Sequence, residues 1–141
     1  MSNPGPASTQ TNHPSNLATN QAYRLLAAAQ SVNLNAVGDT IANIINDSGN
    51  ISVQDVIVAN ASVDLTTAQL AVYTGAGATG TAVKTAYALT GNSATDKVVV
   101  TAADDTDAID VDKLYIRCTT AQGAAATADV YIYGYDLTFL S

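Results

Sequence analysis

The sequence predicts an all-β protein: a single sandwich or barrel domain over residues 21–141, preceded by a flexible N-terminal arm over residues 1–20. Three observations predict it. All twelve acidic residues are Asp and none is Glu, and Glu is the better helix former whereas Asp favours turns and caps. Thr, Val, Ile and Tyr accompany abundant Asp, Asn and Gly, the composition of short strands joined by turns. Apolar segments recur at short, fairly even spacing between turn signals, as sandwiches and barrels require.

Along the chain, residues 1–20 hold Pro4, Pro6 and Pro14 and eleven Ser, Thr, Asn or Gln, with no Asp, Glu, Lys or Arg. Such a segment cannot bury enough apolar surface to offset the entropy of ordering, so it reads as an arm that orders only against a partner. Residues 21–30 fit either a short helix on Ala and Leu propensity, capped by Asn16 or Thr19, or a first strand. Val32 and Leu34 then alternate, Gly38-Asp39 reads as a turn, residues 41–45 resume an apolar run, and residues 47–50 read as a second turn. Strands follow near 52–60, 68–74, 81–88, 97–101, 113–119 and 128–139, separated by loops at 75–80, 91–95, 102–112 and 120–127.

The last strand is apolar or aromatic on both faces. At a period of two, Tyr131, Tyr133, Tyr135, Leu137 and Phe139 share one side while Val130, Ile132 and Gly134 share the other. A two-layer sandwich covers only one face of each strand, so the tyrosine side predicts a third layer or a neighbouring subunit, and these five residues are the candidate oligomer interface.

A chain of 141 residues is one domain by size and buries roughly 70% of its unfolded surface. The lone Cys118 cannot form an internal disulfide, and its alternation with Leu114 and Ile116 makes it a small core residue. A net charge of −7 leaves no basic footprint for nucleic acid. The N-terminus has neither a basic n-region nor an unbroken apolar run, which predicts no export signal and no membrane span.

Chemistry-bearing constellations are sparse. The single imidazole, His13, lies in the arm, so neither acid-base nor nucleophilic catalysis has a base in the body of the domain and the chain reads as no enzyme. The glycine run 75–80 lacks the Lys-Ser/Thr ending of a phosphate loop and reads as a hairpin tip. Asp104, Asp105, Asp107, Asp110 and Asp112 crowd nine residues. Their spacing does not match an EF-hand loop and no terminal acid closes a cage, so they read as a solvated acidic loop; no metal and no cofactor is expected. On 113–119, Lys113, Tyr115, Arg117 and Thr119 share a face, and the two cations there, opposite the acidic loop, are candidates for an ion pair within or between subunits.

Two stretches, Val58-Ala-Asn-Ala-Ser-Val-Asp-Leu-Thr-Thr-Ala-Gln-Leu-Ala-Val-Tyr-Thr-Gly-Ala-Gly and Leu114-Tyr-Ile-Arg-Cys-Thr-Thr-Ala-Gln-Gly-Ala-Ala-Ala-Thr-Ala-Asp-Val-Tyr-Ile-Tyr-Gly-Tyr-Asp-Leu, resemble virion structural proteins of tailed bacteriophages, in particular capsid decoration (cement) proteins. The resemblance implies a β-sandwich or jelly-roll-like subunit, commonly a homotrimer, on the exterior of a shell built of major capsid protein and assembled in the host cytoplasm, and it makes the capsid a second candidate partner for the face of Tyr131, Tyr133, Tyr135, Leu137 and Phe139. It implies no catalytic residue. A tail or fibre module binding a host surface glycan is the alternative, with the absence of Trp and the placement of the aromatics in a strand counting against it.

Overall fold

The computed structural model describes residues 23–45, 50–95 and 98–137. Among these residues it has nine strands: β1 (Tyr23–Asn33), β2 (Gly38–Asn43), β3 (Asn50–Ala59), β4 (Gln69–Gly75), β5 (Thr79–Ala88), β6 (Val99–Ala102), β7 (Ile109–Asp110), β8 (Lys113–Thr120) and β9 (Thr127–Asp136). One sheet has the order β1-β9-β3-β6, with β7 also on β3, and the other has the order β2-β8-β4-β5. Every pairing is antiparallel. With β6 and β7 taken as two pieces of one edge strand, the first strand pairs with the last, the second with the last but one, and so inward to β4 with β5. That nested pairing is the jelly roll, two Greek keys wrapped into a sandwich.

The helical option for residues 21–30 gives way to a strand. Its Ala and Leu content favours a helix locally, but Leu26 and Val32 are needed in the core and the backbone finds a ladder on β9. Gly38-Asp39, read as a turn, instead opens β2, because Asp39 lies directly across from Arg117 of β8. The chain turns at 35–37. The turn at 47–50 lies outside the described residues except for Asn50, the first residue of β3. The long loop read at 102–112 is interrupted by β7, which pairs Ile109 with Ile51.

Both inner faces meet in one core. Val130 and Ile132 of β9, Val53, Val56 and Val58 of β3, Leu70 and Val72 of β4, and Leu114, Ile116 and Cys118 of β8 are at most 1% exposed. Each such aliphatic side chain contributes about 1.5–3 kcal/mol relative to exposure. Gly134 belongs to the same face, where a Cβ would strike the Ser52 carbonyl oxygen and crowd Gln54 N and Leu26 Cδ1. The close approach coincides with a bulge in β3 between Val53 and Asp55, so only glycine fits.

The two margins of the sandwich are stitched. On one side Ala27 bridges to Ile44 and Ile45 N–H donates to Leu26 O at 2.8 Å. On the other, Asp104 and Asp105 N–H both donate to Val83 O of β5, at 2.9 and 3.2 Å.

Candidate functional site

Because Val130 and Ile132 point inward, Tyr131, Tyr133 and Tyr135 point outward from the middle of the first sheet. Residues directly opposite in an antiparallel ladder share a face. Register therefore extends this outer face in rows: Tyr23 beside Tyr135, Leu25 beside Tyr133 and Asp55, and Ala28 beside Tyr131, Ile57 and Val100. Tyr131 and Tyr133 are half-buried, Tyr135 is 37% exposed and Val100 57%. Among the described residues no third layer covers them. Leu137 follows β9, half-buried, with its N–H bonded to Asn50 O. Phe139 lies outside the described residues.

The tyrosines order one another. The Tyr23 and Tyr133 rings stack with centroids 5.6 Å apart and planes 13° apart, and Tyr135 meets Tyr23 edge-on at 6.0 Å. Tyr23 Oη donates to Asp55 Oδ2 at 2.6 Å. Desolvation, then that bond to the carboxylate, push the Tyr23 phenol up to about 12. The face's other carboxylate, Asp129, accepts from Ser31 N at 2.8 Å and Asn60 Nδ2 at 2.9 Å. Ser31, at the β1 irregularity between Ala29 and Val32, and Asn60, just after β3, both adopt left-handed backbone, at φ 54° and 53°, so Asp129 pins two backbone positions that cost local strain. No Lys or Arg stands on this face among the described residues.

The opposite sheet presents a different surface. Its outer row runs Ile41, Tyr115, Tyr73 across β2, β8 and β4, flanked by Lys113 and Arg117. Arg117 Nη1 pairs with Asp39 Oδ1 at 2.8 Å, within the subunit and not with the acidic loop, because cross-strand register sets Asp39 directly opposite. Asp39 Oδ2 also accepts from Gly77 N–H at the β4–β5 hairpin tip, at 2.6 Å. Burial opposes its ionisation, yet the Gly77 amide and the Arg117 guanidinium hold the carboxyl below its ordinary value. The glycine run 75–80 is this exposed tip.

The acidic loop is a structural clasp at one residue. Asp104 Oδ1 takes Lys84 Nζ at 2.8 Å, while Oδ2 takes Thr85 N at 2.8 Å and Thr85 Oγ1 at 2.6 Å. The Lys84 bond, then those from Thr85, lower its pKa to about 2. Asp105 Oδ1 accepts from Asp107 N–H in a local turn. Among the described residues no three His, Cys or acidic side chains gather as metal ligands would. Cys118 is buried among the core aliphatics, and burial pushes its thiol up, away from the nucleophilic thiolate.

Sequence reading missed Tyr23, Leu25, Ile57 and Val100 as parts of the tyrosine face, since only pairing brings them beside β9. The fold and this surface define a jelly-roll block with one aromatic, acid-bearing outer face and one aromatic, base-bearing outer face. No protein-family model matches the chain, and no curated protein matches it.

Proposed function

We propose that this protein is a structural virion component that decorates and stabilises the exterior of a bacteriophage capsid, acting as a homotrimer bound to the major capsid protein and assembled in the host cytoplasm. The observation that carries the reading is the outer face of the β1-β9-β3-β6 sheet, where four tyrosines (Tyr23, Tyr131, Tyr133 and Tyr135) with Leu25, Ile57 and Val100 form an apolar surface that also bears Asp55 and Asp129. Its area is roughly 400 Å², from four strands at about 4.8 Å spacing and seven residues at about 3.3 Å. A patch of that size matches the largest on a typical monomer, which is often functional. Permanent contacts between subunits are the more apolar kind, resembling a domain core cut in half. The resemblance to decoration proteins adds the shell as the partner. A net charge of −7 suits a position outside the nucleic acid.

The test is antibody labelling of purified virions of the encoding phage viewed in negative stain. Label distributed over the head supports the proposal, and label on the tail or absent overturns it. The glycan-binding tail module is favoured by one observation, the stacked Tyr23/Tyr133 pair beside the Asp55 carboxylate, which offers ring faces and an acceptor to a sugar. Tail labelling together with binding on a glycan array would establish that reading instead.

A further inference from the structure

The oligomer proposed above leaves open which surface of a neighbouring copy covers the tyrosine face. We infer that the mate is the outer face of β2, where Ile41 is 53% exposed, with Val37 just before the strand (56%) and Ile45 just after it (60%). These three lie along the margin of the second sheet, where Ile45 adjoins β1 through its N–H bond to Leu26 O, and the fold itself leaves them exposed.

Charge selects the pairing. The tyrosine face carries Asp55 and Asp129 and, among the described residues, no cation. The β2–β8 face carries Arg117 and Lys113 within one row of Ile41. Arg117 is paired with Asp39, whereas Lys113 makes no ion pair with another described residue. In a chain with only five basic residues against twelve acids, two tyrosine faces brought together would juxtapose like charges, while the tyrosine face against β2 sets acid opposite base. Such complementarity fixes register and suppresses wrong pairings. The contact is heterologous: each copy gives one surface and receives the other, and it closes into a ring when the rotation between copies permits. The inference rests on the oligomer reading above, and the outcomes below separate the two.

Two single variants and their mixture form the test, read by light scattering with circular dichroism as the check on folding. Ile41→Asp removes the β2 surface and Tyr135→Asp the tyrosine face; Val100→Asp is a second variant of the latter, at a more exposed position. Each variant alone is expected to be a folded monomer of 14.4 kDa. An equimolar mixture of one from each face is expected to form pairs of twice that mass, since each partner retains the surface the other lacks. Lys113→Glu is expected to weaken wild-type association about ten-fold at low salt and much less at high salt. Assembly of Ile41→Asp at wild-type strength, or a mixture that stays monomeric, overturns the inference while leaving an oligomer through the tyrosine face standing. A monomeric wild type overturns the oligomer reading itself, and this inference with it.

Discussion

At the scale of single residues, the acidic loop separates into one structural carboxylate and several solvated ones. Asp104 joins the loop after β6 to β5 through Lys84 and Thr85, and its pKa falls from 3.8 to about 2. A carboxyl whose folded-state pKa is depressed stabilises the fold fully above its unfolded value, and that contribution is lost as pH falls through the folded value. Thermal melts of the wild type should therefore lose part of their stability between about pH 4 and pH 2, and Asp104→Asn should flatten that limb at a cost near 1 kcal/mol at neutral pH, a modest figure because the pair is solvent-screened. Asp107→Asn should shift stability by less than about 0.5 kcal/mol. Chelator and millimolar calcium should both leave the melting temperature unchanged, whereas a rise of several degrees with calcium would show a folded-state site, by mass action.

At the scale of elements, two devices hold strands and loops in place. Gln122 Oε1 accepts from the N–H groups of Thr66, Thr67 and Ala68 at 3.2, 3.1 and 3.0 Å, and Nε2 donates to Thr66 Oγ1 at 3.0 Å. One side chain on the β8–β9 loop thus shapes the entry to β4. Gln122→Ala leaves the buried Ala68 N–H without its acceptor, while the exposed Thr66 and Thr67 N–H groups turn to water, and should cost about 1 kcal/mol in a denaturant titration, with the midpoint falling and the slope unchanged. Gly134→Ala should do more. The added methyl meets the Ser52 carbonyl of the adjoining strand rather than a movable side chain, so β3 and β9 must separate locally; a loss above about 2 kcal/mol is expected, and full stability in this variant would contradict the packing described.

At the scale of the whole molecule, the two outer faces behave differently because the jelly roll gives each sheet one wet side. A monomeric mass at micromolar concentration, with the tyrosines open to chemical modification, would contradict the proposed oligomer. Tyr133→Asp should dissociate it, since an unpaired charge is costly to bury at an interface. Residues 1–20 lie outside the described residues and their composition argues for a partner-dependent arm. Deleting them should leave the β-sheet circular dichroism unchanged and weaken binding to capsids; undiminished decoration by the truncated protein would show that the arm takes no part.

The chain by itself determined the class of fold and most strands, because inward residues such as Leu114, Ile116 and Cys118 or Val130 and Ile132 must recur at every second position to reach a core, and that period is visible in one dimension. It also marked Tyr131, Tyr133 and Tyr135 as a shared face. Only the tertiary structure decided that residues 23–33 are a strand, since helix propensity is weak against a ladder with β9 and burial of Leu26 and Val32. Only it showed that Arg117 meets Asp39, 78 positions away, and that Tyr23 and Val100, on different strands, extend the tyrosine surface. Local pattern encodes which way a side chain points; which neighbours it finds depends on strand order and register, and these are set by the simultaneous closure of the whole sandwich.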